Sequence, residues 1–333
     1  MSNIKSYGEK LKIERLFDTF SDNFRLTRLY AAYLEQFPEI ITRDMVDNIC
    51  ADGRIEKKDA IAAILAELFA LDDDTDKFFF RNYVLPSIRI LDATRYINNP
   101  YYKNIKLPDV KRGTWEFKNE SYRPYRAVIC HDMIIKDDFT EIAPLGFFEE
   151  EFFFPAVLED GNEWMTLTPV DLDTCDEAID EAHGKVITFG LGLGYYAYMV
   201  SIKESVESVT VIEKSAKVIE LFREYILPQF PFPEKVRIIN ADAFEYAEHE
   251  MPKENYDYAF VDTWRDASDG APMYKRMKPL EALNPHTEFS YWIENFLISN
   301  IRAEKLVEIR EKYYAGDLDM TYVEIEDSLK NII

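Results

Sequence analysis

A glycine-rich turn between two apolar runs constrains the fold more than any other feature of the sequence. The run Val186–Phe189 lacks the alternation of a half-exposed strand, which predicts a parallel strand covered on both faces. Gly190, Gly192 and Gly194 follow, and because glycine has no Cβ they allow a sharp turn and a close approach to a ligand. The next run, Val206–Glu213, ends in an acid that can accept hydrogen bonds from both hydroxyls of a ribose. The pattern predicts a nucleotide-binding crevice.

Two further apolar runs predict that the sheet continues. Lys235–Asn240 is followed closely by Asp242, and Tyr256–Val261 is followed directly by Asp262. Apolar residues at helical spacing predict helices between the strands, as in an α/β chain with a parallel sheet. Ligands of such open sheets bind at the carboxyl ends of the strands, where these acids and Glu213 stand. We therefore expect a Rossmann-like α/β fold with its site at this edge.

Four stretches carry a family resemblance: ITFGLGLG, VTVIEKSAKVIELF, VRIINADAF and YDYAFVD, in this order. The region from about Trp164 to Asp262 resembles a class I S-adenosylmethionine-dependent methyltransferase, and more closely the spermidine-synthase-like branch of that fold. The resemblance implies a Rossmann-like sheet that binds S-adenosylmethionine. It does not extend to the rest of the chain.

The resemblance implies a role for the turn and for the strand ends. The glycine turn would pass under the methionine part of the cofactor. Glu213 would bind both ribose hydroxyls, Asp242 would accept from the adenine amino group, and the methylene stem of Lys214 would cover the ring. Asp262 would line the mouth and is the candidate catalytic residue. The implied cofactor-binding residues are Gly190, Leu191, Gly192, Gly194, Glu213, Lys214, Asp242, Ala243 and Asp262.

Two departures from related patterns bear on the ligand. Tyr195 stands where a G-x-G-x-x-G pyrophosphate turn has its last glycine, which favours an adenosyl ligand over NAD. The resembling branch carries an acid between its last two glycines, where its amine-containing ligand is held. Leu193 stands at that place, and an apolar side chain cannot hold an ammonium group. The sequence thus favours methyl transfer over the synthesis of polyamines.

Asp262 and four aromatic residues each have a structural as well as a functional interpretation. A carboxylate at Asp262 can orient or deprotonate an amine, or it can cap the following helix. The aromatic side chains can line a substrate pocket or pack in the core. These aromatic candidates are Trp164, Tyr195, Tyr196 and Trp264.

The function predicted from these features is methyl transfer from S-adenosylmethionine to an acceptor, with a small molecule or a protein amine favoured. One alternative is an aminopropyltransferase that uses decarboxylated S-adenosylmethionine. Another is a non-catalytic protein whose helical N-terminal half is an interaction module. The sequence leaves a homodimer open.

Sequence patterning divides the chain into three parts. Helical periodicity predicts a helical N-terminal domain over residues 1–112, with a helix over Ile88–Ile97. A small β-rich segment is predicted over residues 113–168, with a hairpin at Asp160-Gly161. The Rossmann-like domain and a helical C-terminal tail are predicted over residues 169–333. Glu288–Tyr314 has a helical pattern, although Glu288–Ile293 and Met320–Ile325 are the candidates for a fifth strand.

Composition disfavours several partners. The net charge of −23 repels a nucleic-acid backbone, and the basic residues are dispersed. The sequence has no run of 18 apolar residues, so no membrane span is predicted. The charged N-terminal stretch lacks the apolar core of a signal peptide, and the three cysteines are far apart, which predicts a cytoplasmic protein with free thiols. The four histidines show no metal-ligand spacing, so no metal site is predicted.

Overall fold

A computed structural model describes residues 6–108 and 110–332, which form two compact units. The first unit takes its chain from Met1–Leu91, Pro124–Glu149 and Asn295–Ile333, and the second from Asp92–Arg123 and Glu150–Glu294. These limits differ from the division predicted after residues 112 and 168. The predicted N-terminal stretch begins with residues 1–5, which lie outside the described residues.

The first unit is mainly helical, because much of its sequence repeats apolar residues every three or four positions. Its first helix has 30 residues. None of the helices in the described part of the chain is both long and apolar enough to cross a membrane. The helices of this unit are α1 (Tyr7–Gln36), α2 (Arg43–Cys50), α3 (Lys57–Leu68), α4 (Lys77–Phe79), α5 (Leu85–Ser87), α14 (Glu294–Ala315) and α15 (Tyr322–Lys330), with a π-helical turn over Phe80–Val84.

A short parallel strand corrects one prediction for this unit. The helix expected over Ile88–Ile97 is wrong in its first half, because Ile88–Leu91 form strand β1 and pair in parallel with Leu145–Phe148. A run this short fits a strand as well as a helix, and the distant partner decides. The same pairing draws part of the predicted β-rich segment into the first unit. The other strands of this unit are β4 (Ala127–Ile129), β5 (Ile134–Ile135), β6 (Glu141–Ile142) and β7 (Leu145–Phe148).

An ion pair between β6 and α14 is buried inside the first unit. Arg302 Nη1 lies 3.0 Å from Glu141 Oε1, and the two side chains are 7% and 6% exposed. Ser299 donates to Oε2 of the same carboxylate at 2.6 Å. Arg302 Nε donates to the Leu329 carbonyl at 3.1 Å. Because each charged group has several partners, the pair is tolerated in the core.

Removal of one member of this pair is expected to destabilise the protein strongly, because the other charge is left buried without a partner. Arg302→Met leaves the Glu141 carboxylate buried without its partner, and we expect the free energy of unfolding to fall by about 3–5 kcal/mol. The double variant Arg302→Met/Glu141→Leu is expected to lose less than the sum of the two single variants, because no isolated charge remains. Urea denaturation of all three variants measures this difference.

The matched control is the exposed pair on α14, where Lys312 Nζ lies 2.6 Å from Glu308 Oε1. Lys312→Met is expected to leave the urea midpoint unchanged, since water screens both charges. Equal effects of Arg302→Met and Lys312→Met would contradict the importance assigned to burial of the pair.

The second unit carries the predicted sheet and a smaller antiparallel sheet. Its helices are α6 (Ala93–Ile97), α7 (Pro100–Asn104), α8 (Pro169–Asp173), α9 (Asp176–Glu181), α10 (Tyr195–Ser201), α11 (Ala216–Leu221), α12 (Ala243–His249) and α13 (Ala267–Met277). Its strands are β2 (Val110–Arg112), β3 (Trp115–Tyr122), β8 (Phe152–Glu159), β9 (Asn162–Thr166), β10 (Gly184–Phe189), β11 (Val206–Glu213), β12 (Val236–Asn240), β13 (Tyr258–Val261) and β14 (Glu288–Tyr291).

The larger sheet has five parallel strands in the order β12-β11-β10-β13-β14. Its first strand in sequence, β10, is central. The residues of β10 from Val186 to Phe189 are at most 2% exposed, as the non-alternating run predicts. This is the strand order of a doubly wound sheet, and it confirms the predicted Rossmann-like fold. The order reverses between β10 and β13, so a crevice opens there at the carboxyl ends.

The fifth strand lies in one of the two predicted places. Glu288–Tyr291 pair in parallel with β13, so the helical interpretation of Glu288–Tyr314 is wrong for its first residues. The other candidate, Met320–Ile325, runs into α15, which a capping box between Thr321 and Glu324 begins. In residues 6–108 and 110–332, no antiparallel strand extends this sheet.

The smaller sheet is antiparallel, in the order β2-β3-β8-β9. Asp160 and Gly161 join β8 to β9 with φ of 53° and 80°, as a type I′ hairpin turn requires, and this confirms the predicted hairpin. β9 leads to Thr168, which forms a capping box with Asp171 at the start of α8. The helical stretch that begins here is divided into α8 and α9.

Candidate functional site

A cavity of about 660 Å³ opens in the second unit beside the turn that follows β10. Its walls come from the carboxyl ends of β10 to β13, from the hairpin of β8 and β9, and from the first turn of α8. Gly194, Tyr195 and Tyr196 are not among the residues around it. The predicted residues that line it are Trp164, Gly190, Leu191, Gly192, Glu213, Lys214, Asp242, Ala243, Asp262 and Trp264.

Glu213 ends β11 with its carboxylate fixed by two backbone amides. Its Oε2 accepts from the Leu191 N–H at 3.2 Å, and its Oε1 accepts from the Ser215 N–H at 2.6 Å. A carboxylate oxygen has two lone pairs, so each oxygen can still accept from a hydroxyl group. Glu213 thus joins the glycine turn to the neighbouring strand, and its orientation is set before a ligand enters.

Asp242 caps α12 and also pairs with Lys214. Its Oδ1 accepts from the N–H groups of Phe244 and Glu245 at 3.0 and 3.3 Å, and its Oδ2 lies 3.1 Å from Lys214 Nζ. Burial alone would raise the pKa of Asp242, but Lys214 and the backbone donors outweigh burial and lower the pKa. The Lys214 side chain is 81% exposed, so water screens the pair and the ammonium group can move aside for a ligand.

Asp262 lies in a different environment from the other two strand-end acids. Burial raises the pKa of Asp262 to about 8, and the negative charges of Asp171 and Glu213 contribute to the increase. Among the described residues, no side chain forms an ion pair with it and no donor lowers its pKa. A carboxyl group that titrates near neutral pH can accept or donate a proton during a reaction.

Asp171 also lines the cavity, and it is not among the site residues predicted from the sequence. The N–H and O–H of Thr168 both donate to its Oδ2, at 2.7 and 2.8 Å. Burial nevertheless raises the pKa of Asp171 to about 6. No spacing rule connects this residue with the strand ends, because only the fold brings α8 to them. Other lining residues outside the predicted set include Glu159, Glu163, Arg265, Met273 and Trp292.

Contacts with protein atoms account for glycine at two positions of the turn. A Cβ on Gly190 would lie 1.8 Å from the Asp262 carbonyl oxygen, and one on Gly194 would lie 2.2 Å from the Phe222 ring. A Cβ on Gly192 would meet only the Met165 side chain, 2.2 Å from its Sδ. Gly190 and Gly194 are thus required by packing, whereas Gly192 faces a flexible side chain that also lines the cavity.

Tyr195 and Tyr196 pack in the interior of the second unit. The hydroxyl of Tyr195 accepts from Asn99 Nδ2 at 3.0 Å, and the ring of Tyr196 stacks on Phe260 with 4.2 Å between centroids. Leu193 is 1% exposed and lies in an apolar cluster apart from the cavity. Because α10 directs the tyrosine side chains towards α7 and the sheet, the structure favours their interpretation as core residues.

Two polar groups beside Asp262, namely Thr263 Oγ1 and Trp264 Nε1, are buried without a hydrogen-bond partner in the described part of the chain. Trp264 is 6% exposed, lines the cavity and stacks against Tyr291 at 6.4 Å. A buried polar group without a partner costs about 1–3 kcal/mol. Trp164, the other predicted tryptophan, also lines the cavity and packs edge-on against Trp115 at 5.1 Å.

Acidic side chains dominate the walls of the cavity. Lys214 is paired with Asp242, and Arg265 Nε lies 3.9 Å from Asp269. This excess of acidic groups favours a cation in the cavity and repels a phosphate group. The described part of the chain holds no cluster of three or more His, Cys, Asp or Glu side chains suited to a metal ion. Among the described residues, the charged groups that line the cavity are Glu159, Glu163, Asp171, Glu213, Asp242, Asp262, Lys214 and Arg265.

Comparison with known proteins gives matches to solved structures. No protein-family model and no curated protein matches the chain. A spermidine synthase from Thermotoga maritima is 17% identical, with a TM-score of 0.31, over 47% of this chain and 60% of its own. A spermidine synthase in complex with the transition-state analogue AdoDATO is 18% identical, with a TM-score of 0.33, over 47% of this chain and 61% of its own.

A protein from Streptococcus mutans that is described as a SAM-dependent methyltransferase also matches. It is 14% identical, with a TM-score of 0.30, over 38% of this chain and 36% of its own. The match spans less than two thirds of each of the three solved chains. At these identities the similarity concerns the fold alone.

Replacement of Gly190 by alanine is expected to disrupt the turn. The added Cβ would collide with the Asp262 carbonyl, and the φ of 103° is unfavourable for any other residue. We expect the free energy of unfolding to fall by about 3–5 kcal/mol in urea denaturation. Gly316→Ala is the control, because φ is 78° there and no atom of another described residue, apart from its chain neighbours, lies within 4 Å of the new Cβ. Its expected cost is about 1–2 kcal/mol, and equal losses would show that the contact with Asp262 relaxes freely.

Asp262→Asn is expected to stabilise the ligand-free protein at alkaline pH. An unfolded aspartate titrates at about 3.9, whereas burial raises the folded pKa to about 8. The folded state binds the extra proton between these values, so this contribution to stability is present at low pH and is lost as the pH rises through the folded pKa. Thermal unfolding from pH 6 to pH 9 should show a fall in Tm for the wild-type protein relative to Asp262→Asn.

Asp242→Asn is the control for that experiment. The pKa of Asp242 is lowered, so its loss should shift Tm by the same amount throughout this pH range. Parallel curves for the wild-type protein and Asp262→Asn would contradict the raised pKa of Asp262.

Proposed function

We propose that this protein is an S-adenosylmethionine-dependent methyltransferase whose acceptor is a small molecule or a protein amine. The observation that carries the proposal is the convergence of Glu213, Asp242 and Asp262 around one cavity, at the carboxyl ends of β11, β12 and β13 of one parallel sheet. These are the positions at which an open α/β sheet binds a nucleoside. The cavity of about 660 Å³ has the size of a small-molecule site.

The polar groups of the cavity suit an adenosyl ligand. Glu213 offers two oriented carboxylate oxygens to a pair of ribose hydroxyls. Asp242 offers an oxygen to an adenine amino group once Lys214 moves, and the Lys214 stem can then cover the ring. Ala243 lies beside them at the first residue of α12. The buried donor of Trp264 adds a group that a ligand or a small shift of its loop can satisfy.

The charge of the cavity favours a sulfonium cofactor over a dinucleotide. Asp171, Glu213 and Asp262 form no ion pair with a described residue, so a pyrophosphate group would meet uncompensated negative charge. A positively charged sulfonium would instead be attracted to these carboxyl groups. When bound, S-adenosylmethionine supplies a methyl group that is already activated for transfer.

The residues of this chain then have to position the acceptor. Methyl transfer depends largely on orientation, since the leaving group needs no proton. We assign to Asp262 the task of orienting an acceptor amine and receiving its proton, because its carboxyl reaches the cavity and titrates near neutral pH. Trp164 and Trp264 would form the apolar walls against which the acceptor packs.

Aminopropyl transfer is less well supported by the geometry. Leu193 is buried in an apolar cluster and contributes no carboxylate to the cavity. Decarboxylated S-adenosylmethionine keeps the ammonium group of S-adenosylmethionine and lacks its carboxylate, and Leu193 offers that ammonium group no anionic partner. The proposed function implies that S-adenosylmethionine binds more tightly than its decarboxylated form, which titration calorimetry can compare directly.

Glu213→Ala is expected to weaken the binding of S-adenosylmethionine strongly. The change removes two charge-assisted hydrogen bonds to the ribose, each worth about 1.5–3 kcal/mol. We expect the dissociation constant in isothermal titration calorimetry to rise by about 100-fold or more. Glu207→Ala is the matched control, because Glu207 lies on the same strand, exposed and away from the cavity.

Three results would contradict this proposal. Unchanged binding by Glu213→Ala would remove the assigned site. Tighter binding of decarboxylated S-adenosylmethionine would favour aminopropyl transfer. Failure of the wild-type protein to bind either compound would favour a non-catalytic interaction protein.

A further inference from the structure

Asp171 and Asp262 line the same cavity, although they come from distant parts of the chain. Asp171 comes from the first turn of α8, before the sheet begins, and Asp262 follows β13. Their charges interact, since Asp171 is the first of the two acids that raise the pKa of Asp262. The pair is distinct from Asp242, whose carboxylate is neutralised by Lys214.

The two carboxyl groups are held in different ways. Asp171 has two donors on one oxygen, the N–H and O–H of Thr168 at 2.7 and 2.8 Å. These donors favour its ionised form. Asp262 has no such donor among the described residues and is opposed by the charges of Asp171 and Glu213. The pair therefore ionises in a fixed order, with Asp171 first and Asp262 second.

The other charged groups around the pair do not reverse this order. Burial raises the pKa of the Cys175 thiol, and the charges of Asp262 and Asp171 add to that increase, so the thiol stays neutral. Lys214 and Arg265 have acidic partners of their own. The remaining acids of the cavity wall, Glu159 and Glu163, are exposed on the β8–β9 hairpin and add negative charge only.

An independent observation indicates that a ligand completes this site. Trp264 is 6% exposed, lines the cavity two residues after Asp262, and its Nε1 has no acceptor among the described residues. A buried N–H group of this kind normally has a partner. A ligand that enters beside Asp262 can supply that acceptor.

We infer that Asp171 and Asp262 hold one proton between them in the ligand-free protein and release it to solvent when a cationic ligand enters the cavity. The identity of that ligand, the sulfonium form of the cofactor, rests on the proposed function. The proton leaves the Asp262 carboxyl, and no other bond forms or breaks. Asp171 is the positioning residue, because its fixed charge keeps the proton on Asp262.

The release has a consequence for the two forms of the cofactor. A positive charge within about 4–6 Å lowers the pKa of a carboxyl group by about 1–3 units. Entry of the sulfonium therefore ionises Asp262, which can then receive a proton from an acceptor amine. S-adenosylhomocysteine carries no charge on sulfur, so its binding leaves the proton in place.

Calorimetry in buffers of different ionisation enthalpy measures the proton directly. At pH 7.5 we expect S-adenosylmethionine to release about half a proton or more per site, and S-adenosylhomocysteine to release none, given the pKa of about 8. Asp262→Asn should abolish the release. Asp171→Asn should reduce it, because Asp262 then loses the charge that holds its proton. Glu163→Gln, a change to an exposed acid of the same cavity, should leave it unchanged.

Equal proton release with both compounds would overturn the inference and leave the proposed function intact. Full release by Asp262→Asn would also overturn it. A second measurement needs no cofactor: the infrared band of a protonated carboxyl should disappear between pH 6 and pH 9 in the wild-type protein and be absent from Asp262→Asn. If neither compound binds, the proposed function fails, and the infrared titration decides whether the two acids hold the proton.

Discussion

The contact between Gly190 and the backbone of Asp262 is the constraint on which the site depends. Gly190 N–H donates to the Ile212 carbonyl at 2.9 Å, and Asp262 N–H donates to the Phe189 carbonyl at 2.8 Å. The turn is thus joined to the strand on each side of β10. With a Cβ position 1.8 Å from the Asp262 carbonyl oxygen, only glycine lets these two segments meet. Their meeting point is the place where the strand order reverses, and it places Asp262 beside the turn.

The acids at the three strand ends lie at one edge of the sheet, but their hydrogen-bond and ion-pair partners give them different chemical roles. Glu213 receives two backbone amides and serves to orient a ligand. Asp242 caps a helix and pairs with Lys214, so it stays ionised. Asp262 has neither kind of partner among the described residues, and burial raises its pKa to about 8. The two aspartates are the same residue type at the same edge of the sheet, so the difference between their pKa values comes from their neighbours.

The parts of the fold and site that depend on short stretches of chain were predictable. A non-alternating apolar run followed by glycine marks a central parallel strand, and β10 has that place in the sheet. Because all parallel strands end at the same edge, an acid after each strand is predicted to lie at one site. Glu213, Asp242 and Asp262 do line one cavity. The hairpin at Asp160-Gly161 was also predictable from a short stretch, because its turn needs two positive φ angles that these residues tolerate.

The features that the sequence did not predict depend on partners that are distant along the chain. Ile88–Leu91 form a strand because Leu145–Phe148 pair with them. Tyr195 and Tyr196 face the interior because they contact Asn99, which caps α7, and Phe260 of the sheet. Asp171 is the most consequential case, since its own surroundings in sequence indicate only a helix start. Its charge nevertheless helps to determine whether Asp262 carries a proton. The acid–base state of the site is therefore a property of the folded unit rather than of the motif that locates it.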